Sequence, residues 1–545
     1  MALFTSNDQE EARDVDSNAW PAGLTPHKSL IPHVFWTNGV LLVSQAIRKN
    51  DPWLTNYKSR MNDRGIEYTL KRFEPDEFEK QTKEARKSVE EITHSVARER
   101  IKKILTDAIE AKANDVHIDI YPTHASVYFR VNNYMSPHQS LKHDEAKRIV
   151  QSVYNSMLEG SSGQTMYVRE KNQDGQLEGE ILPSELHGVR LNRGPTQQGE
   201  CMVMRLHWSN SMELAGSFRE RMVFLGYDEV NIIVLNYLRQ LSKGMIVISG
   251  TTNSGKNTTM KHIQEASIED YPGLQFTSVE DPVEMVIKGM RQIPVVRDGN
   301  DDNSAEKYNQ TLLATLRRDP DRLMVSEIRD SVTMKHCVTS AQSGHQVMTT
   351  THAGSPFEII DRFVLLLRDM GDSDPLGTLR GVLKGLITQC LVPVLCECKK
   401  ELTDEVYESL PETRQERLKA AFQKDFKGIC LRNPKGCKKC QHTGVTGLTV
   451  VAETVPLDDD LFEAVIEGGT TAGHLKWMDR IKEWAKQAGE EDSFAYTLHG
   501  HARKKVRQGL VDPIEVTQTI GPLVMDHVME DRKLEYDELL MWRPA

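Results

Sequence analysis

The stretch 246–259, IVISGTTNSGKNTT, constrains this chain more than any other. An apolar, β-prone run over 245–248 leads through Ser249 into Gly250, and Gly255 and Lys256 follow five residues later, ahead of a polar run able to open a helix. A strand that ends in such a turn and restarts as a helix aims successive backbone N–H groups and the helix N-terminus at one spot. That spot suits the β-phosphate of a nucleotide, with the lysine ammonium reaching the β and γ oxygens. The expected phosphate-binding residues are Gly250, Thr251, Thr252, Asn253, Ser254, Gly255, Lys256, Asn257 and Thr258. The usual motif ends in a hydroxyl residue that ligates Mg²⁺. That position is Asn257, which offers a neutral amide oxygen; the Thr258 hydroxyl lies about 100° further round a helix and is expected to point away.

A length of 545 residues divides into roughly three to four domains of ordinary size. Lys+Arg 68 against Asp+Glu 79 gives a formal net charge of −11, which disfavours a nucleic acid backbone as the main partner. No run approaches the eighteen or so apolar residues of a membrane span, and the polar, acidic start is unlike a signal peptide. A cytoplasmic protein is expected. Five of the eight cysteines (Cys396, Cys398, Cys430, Cys437 and Cys440) fall in one window, which favours a metal site over a disulfide framework.

Taken in order, 1–30 reads as a disordered tail and 31–90 as a small α/β module with a charged linking helix over 77–110. Two hairpins, at 112–135 and 186–206, flank a helix over 144–159, which makes 91–208 a mixed strand and helix module. His117 and Asp119, two apart, share one strand face. From 209 to 395 strands alternate with helices, and polar residues stand at the strand ends: Glu280 after FTSV, Glu327 after RLMVS, His352 after HQVMTTT. That pattern predicts an α/β doubly wound sheet with its ligand at the carboxyl edge. The cysteine window occupies 396–442 and a C-terminal region 443–545, with a surface helix expected in the acidic tail from 521.

Phosphoryl transfer to water needs held phosphates, a divalent ion, a carboxylate on the attacking water and positive groups for the transition state. Lys256 can hold phosphates, Glu280 or Glu327 can act on water or the metal shell, His352 can bond the γ-phosphate, and Arg317, Arg318 and Arg329 are candidate charge stabilisers.

The set SGTTNSGKNTT, SVEDPVE, LRRDPDRLMVSEIRD and SGHQVMTTTHAG resembles the Walker A, Asp box, Walker B and His box of the motor ATPases of type II secretion and type IV pilus assembly. The resemblance runs from about 91 to 519. It implies a homohexameric ring using ATP and Mg²⁺, each subunit a PAS-like module joined to a RecA-like core, peripheral at the inner membrane and working on an integral platform protein, without direct contact with nucleic acid. On that pattern Glu280 is the base, Glu327 the Walker B glutamate, and His345 and His352 the two histidines of the His box. Arg130, Arg190 and Arg205, with Arg193 as a weaker candidate, stand where the family places basic residues that face the nucleotide across a domain or subunit boundary. Three departures bear on hydrolysis: Asn257 for the hydroxyl, Asn253 for a glycine, and Val131-Asn132-Asn133 for an Ile-Asp-Gly turn. Ser326 also replaces the glycine before Glu327.

Cys437-x-x-Cys440 resembles the second half of a tetracysteine zinc motif found in many of these motors. With Cys396 and Cys398 it makes the expected Zn²⁺ ligand set; Cys430 or His442 are possible substitutes, and a reduced loop of free thiols is the alternative. The expected function is an ATP-driven motor for pilus assembly or secretion, with the long N-terminal region and the cysteine window favouring assembly over retraction. The rivals are a nucleotide-binding ring subunit that hydrolyses poorly, and a RecA-like nucleic-acid translocase.

Overall fold

The structure, a computed structural model, describes residues 20–21, 24–37, 39–159, 166–209, 214–295, 304–423 and 425–523, with the side chains of 84–94, 304 and 305 left aside. Two compact units divide the chain, Met1–Lys103 with Lys147–Met157, and Ile104–Ala146 with Leu158–Ala545. No helix among the described residues is long and apolar enough to cross a membrane.

In the first unit, strands β1 (Val34–Thr37), β2 (Val40–Ser44) and β3 (Thr69–Phe73) form a sheet in that order, with helix α1 (Pro52–Asp63) in the connection from β2 to β3. The Asp51 carboxylate accepts from the Trp53 and Leu54 N–H groups, and Pro52 opens the helix where no donor is needed. Leu54, Tyr57 and Met61 project at helical spacing into a core with Leu41, Val43, Trp20, Leu24 and Leu30. The described part of the tail expected over 1–30 is therefore packed: Trp20, Leu24 and Leu30 are buried, and the Tyr57 hydroxyl donates to the Leu24 carbonyl at 2.9 Å. Apolar side chains within a polar segment outweighed its composition. Residues 1–19 lie outside the described residues. Helix α2 (Pro75–Glu110) covers the expected linking helix.

The second unit carries a six-stranded antiparallel sheet. Its strands are β4 (Asp115–Ile120), β5 (His124–Val131), β6 (Tyr134–Lys142), β7 (Gln173–Gln176), β8 (Leu186–Thr196) and β9 (Gly199–Trp208), in the spatial order β6-β5-β4-β9-β8-β7; helix α3 (His143–Ser156) follows β6 in sequence. Alternation puts Val116, Ile118, Val127, Phe129, Met202 and Met204 on the buried face and leaves the polar residues on the other. Asn132 and Asn133, at φ 50° and 69°, form the two-residue turn between β5 and β6. Two successive left-handed residues match the twist of the hairpin, and asparagine tolerates that conformation, so Asn-Asn serves where Asp-Gly is usual.

Next come helices α4 (Phe218–Leu225) and α5 (Glu229–Gln240), strand β10 (Gly244–Ser249), helix α6 (Lys256–Asp270), strands β11 (Phe276–Glu280) and β12 (Arg291–Pro294), and helix α7 (Ser304–Leu316). Strand β13 (Arg322–Val325), helix α8 (Ser331–Gln342), strand β14 (Gln346–Thr351), helices α9 (Pro356–Asp369) and α10 (Pro375–Val382) and strand β15 (Leu383–Leu395) follow. After β15 the chain forms strand β16 (Lys400–Glu401), helices α11 (Asp404–Glu408) and α12 (Glu412–Phe422) and strand β17 (Cys430–Leu431). It returns to the sheet as β18 (Val445–Pro456), then ends in helices α13 (Asp459–Ala488), α14 (Leu498–Arg507) and α15 (Pro513–Ile520).

The main sheet has the order β12-β11-β13-β14-β10-β15-β18, parallel except for β18, which pairs antiparallel with β15. Strand β10 shows why it is sandwiched. Met245 and Val247 face Met334, Phe363, Leu379 and Trp477 on α8, α9, α10 and α13, while Ile246 and Ile248 face Met222, Leu235 and Ile263 on α4, α5 and α6. Such residues are fully apolar on both faces because helices cover both, and each large side chain contributes roughly 1.5–3 kcal/mol by leaving water. The surface helix expected after 521 lies, from 524 on, outside the described residues.

Candidate functional site

Because the strands are parallel, the loops that follow their carboxyl ends collect along one edge of the sheet, with the crevice beside β10 where the chain reverses direction. The 250–255 turn leaves β10 there and runs into α6, which begins at Lys256. Gly250, Asn253 and Gly255 have φ of 151°, 64° and 82°. A Cβ on Gly250 would sit 2.2 Å from the Gln389 carbonyl, so only glycine closes the loop. Asn253 adopts the left-handed conformation without help from a glycine. Ser254 Oγ is buried with no hydrogen-bond partner, Thr251 and Thr252 are exposed, and Thr258 is half-buried. This cradle, a helix N-terminus with an orphan hydroxyl, fits a phosphate chain.

Lys256 Nζ donates to the carbonyls of Gly250 at 2.8 Å and Thr251 at 2.9 Å. Burial pulls its ammonium below the usual lysine range, against the opposing pull of the Glu327 and Glu284 carboxylates. His352 Nδ1 lies 3.0 Å from the Gly250 carbonyl, and its Nε2 lies 3.3 Å from Glu327 Oε1. The other oxygen of Glu327 takes Arg329 Nε at 2.8 Å. Lys256 and His352 thus meet at the Gly250 carbonyl, with Glu327 on His352 and Arg329 on Glu327. Glu280, at the end of β11, is buried and accepts at Oε1 from the Ser278 hydroxyl at 2.6 Å and the Gln292 amide at 2.8 Å. Burial raises its carboxyl above the usual range, more than those hydrogen bonds lower it. Ser326 uses its added hydroxyl on that of Tyr308, 3.1 Å away, which also donates to the Val279 carbonyl. The Asn257 amide donates to the Glu284 carboxylate. Glu284, three residues beyond the Asp-box Asp281, carried no signal in the sequence beyond its place in the motif.

Three expected residues are elsewhere. Arg317 and Arg318 are exposed in the turn from α7 to β13, at the amino edge, because a helix-to-strand connection in a parallel sheet lies opposite the ligand edge. His345 precedes β14 and contacts Ser343 Oγ and the Ser340 carbonyl, both at 3.0 Å, at the far end of the strand from His352.

The antiparallel sheet supplies the basic residues. Arg130 and Arg205 flank Asp115 at one register position across β5, β4 and β9, and Arg190 on β8 is next to Arg205. All lie on the polar face, which also holds His117 and Asp119. His207, two residues from Arg205 on that face, lies within electrostatic reach of Glu284; burial nonetheless lowers its pKa. Arg193 belongs to the other face. It is fully buried, binds Glu200 at 2.9 Å, and donates to the carbonyls of Val168, Arg169 and Lys171. An odd offset from Arg190 put it in the core, so its role is structural. Arg193→Ala is expected to destabilise the fold by about 3 kcal/mol by leaving the buried Glu200 carboxylate without its counter-charge, with only the Tyr167 hydroxyl among the described residues still donating to it; chemical denaturation checks this, and a loss under 1 kcal/mol overturns it.

Between β15 and β18, the thiols of Cys396, Cys398, Cys437 and Cys440 all lie within 4.8 Å of one another. Sulfur separations of 3.7 Å (Cys396 to Cys437), 3.8 Å (Cys437 to Cys440) and 4.0 Å (Cys398 to Cys440) are close to the roughly 3.8 Å that tetrahedral Zn–S bonds impose. Burial disfavours the Cys440 thiolate, but the N–H groups of Cys437 and Gly444, each 3.1 Å away, outweigh it and hold the thiol down to about 6. The donor set fits a zinc ion. Cys430 points to the Gly428 carbonyl and His442 to the Lys435 carbonyl, so neither substitute joins the cluster.

A glycine-lined cradle at the carboxyl edge of a parallel sheet, with a lysine and two carboxylates around it, defines a P-loop nucleotide-binding protein. A family model described as type II/IV secretion system protein matches residues 90–514. The chain belongs to that family. The type IV pilus assembly ATPase PilB of Pseudomonas aeruginosa is 31% identical over 424 residues, covering 77% of this chain and 66% of that protein. The type II secretion system ATPase E of Vibrio cholerae is 30% identical over 427 residues, covering 76% and 74%. The PilB protein of Thermus thermophilus is 29% identical over 445 residues, covering 80% of this chain and only 44% of its own length. Among solved structures, the pilus retraction motor PilT with bound ADP aligns at 19% identity and a TM-score of 0.47, over 77% of this chain and 96% of that one. The family model and the two relatives at 30% identity or more make the family one of secretion and pilus-assembly ATPases.

Proposed function

We propose that this chain is the ATP-hydrolysing subunit of a homohexameric motor that powers type IV-like pilus assembly or protein secretion, acting on an integral platform protein from the cytoplasmic side of the inner membrane. In this reading the main sheet is a RecA-like core and the antiparallel sheet before it a PAS-like module. The carrying observation is the meeting of Lys256, Glu327 and His352 around one glycine loop.

Lys256 exchanges its two loop carbonyls for β and γ oxygens when ATP enters. Glu280 orients the attacking water and takes its proton, a role favoured by a carboxyl raised towards working pH. Glu327, held by Arg329 and His352, reports the state of the γ-phosphate to β14. Mg²⁺, when bound, neutralises charge between the β- and γ-phosphates, with Asn257 and Glu327 the residues able to hold it or its waters. Arg130, Arg190 and Arg205 add positive charge from a separate sheet, so that the site is complete only when the sheets close on it, and hydrolysis is coupled to movement. Zn²⁺ on the four cysteines has a structural role. Cys437→Ser is expected to remove one bound zinc per chain by elemental analysis while Cys430→Ser keeps it; zinc retained by both overturns the ligand set.

The contact between Asn257 and Glu284 favours a second reading, a ring subunit that binds nucleotide and turns over slowly. Mg²⁺-dependent ATP turnover at several protein concentrations, with Glu327→Gln alongside, separates the two. Turnover that rises with assembly and is lost in the variant supports the motor; tight binding without turnover supports the ring subunit. Asn257→Thr is expected to leave turnover unchanged or raise it, and a loss beyond tenfold, about 1.4 kcal/mol, would give the amide a role of its own.

A further inference from the structure

We infer that Asp115 is the positioning residue of the arginine face, holding Arg130 and Arg205 so that their outer nitrogens are presented together to a phosphate. This rests on the arginines acting on nucleotide as proposed above. The register makes the case first. Asp115 lies on the central strand β4 directly opposite Arg130 on one side and Arg205 on the other. Its side chain is 3% exposed, while those of Arg130 and Arg205 are 32% and 44% exposed. A buried carboxylate therefore anchors two guanidinium groups that reach solvent.

The atoms used matter more than the pairing. Arg205 donates from Nε to Oδ1 at 2.9 Å, and Arg130 Nε is 3.5 Å from Oδ2. One carboxylate oxygen accepts from the inner nitrogen of Arg205 and the other forms a longer ion pair with the inner nitrogen of Arg130, so both arginines face Asp115 with Nε and keep their terminal nitrogens for an anion. Planar guanidinium recognises phosphate through such pairs of donors. An unanchored arginine would lose side-chain entropy on docking; the carboxylate removes much of that freedom beforehand. Charge along the row supports the same conclusion. Arg190 stands directly opposite Arg205 and has no carboxylate in ion-pair distance among the described residues, and like charges so placed repel. One carboxylate among three guanidiniums leaves the row two charges short of neutrality, and an arriving phosphate chain relieves that.

The test uses full-length protein and ATP. Asp115→Asn keeps the shape but removes the charge, so kcat is expected to fall about tenfold while KM stays level or drops, because the row has become more positive. The same substitution in an Arg130→Ala/Arg205→Ala background should cost nothing further, since the groups it positions are gone. An equal loss in both backgrounds, or a raised KM, would reduce Asp115 to a structural residue and overturn the inference. Normal turnover in Asp115→Asn with loss in the arginine variants overturns it too. Normal turnover in the arginine variants would instead remove the nucleotide-facing role of the sheet. Should Asp115→Asn fold poorly, the double variant Arg130→Lys/Arg205→Lys decides: lysine keeps an ion pair with Asp115 but lacks outer nitrogens, so turnover falls with the melting temperature unchanged, and full turnover overturns the inference.

Discussion

Replacing Glu280 with glutamine is expected to lower kcat for ATP by 10²–10⁴-fold and to leave nucleotide affinity nearly intact. Glutamine preserves the hydrogen bonds from Ser278 and Gln292 to the inner oxygen, because an amide carbonyl accepts as a carboxylate does. What it loses is the ability to take a proton. Equilibrium binding and steady-state turnover on the same protein separate the two effects, and turnover within threefold of wild type would remove Glu280 from the chemistry. Burial fixes the sign of the pH dependence as well. A carboxyl raised above the ordinary range needs a higher pH to ionise, so the acid limb of kcat lies nearer neutrality than an exposed glutamate would give.

Lys256→Ala is expected to lose both affinity and turnover, at least 10³-fold in kcat/KM, or about 4 kcal/mol at 1.36 kcal/mol per decade. The ammonium is half-buried beneath the loop mouth and is the cation closest to the loop carbonyls among the contacts described. On the proposed mechanism its removal takes away a preorganised charge aimed where negative charge gathers in the transition state. Stability should change little, because the Gly250 and Thr251 carbonyls it leaves can turn to water. A variant that keeps more than a tenth of wild-type kcat/KM would show that the loop holds phosphate by its N–H groups alone.

The nucleotide edge was legible because local patterns carry it. A glycine loop needs contiguous residues, and in a parallel sheet every strand end falls on the same edge, so Glu280, Glu327 and His352 were placed by alternation alone. The same rule read one step further would have put Arg317, Arg318 and His345 at the opposite edge, since they precede strands instead of following them. Arg193 was misread for a related reason: a single offset in a strand exchanges the two faces. Asp115 was not legible, because an acidic residue on a strand looks solvated until its neighbours on two other strands are known. The cysteine cluster stood between these cases, as C-x-C spacing alone did not say that Cys396 and Cys398 would meet Cys437 and Cys440.

The pairing of β15 with β18 has a consequence for how the chain folds. These strands are neighbours in the sheet, yet residues 396–444 separate them. Bringing the ends of a loop of roughly 50 residues together costs about 3.5 kcal/mol in chain entropy, and pairing across such a distance is slow. The four thiols stand at the neck of that loop, two on either side. An ion captured there shortens the closure that the strands must make from tens of residues to a few, so zinc supplied during refolding should accelerate formation of the sheet edge. The cluster then acts on the rate at which the native state is reached, before any nucleotide is bound.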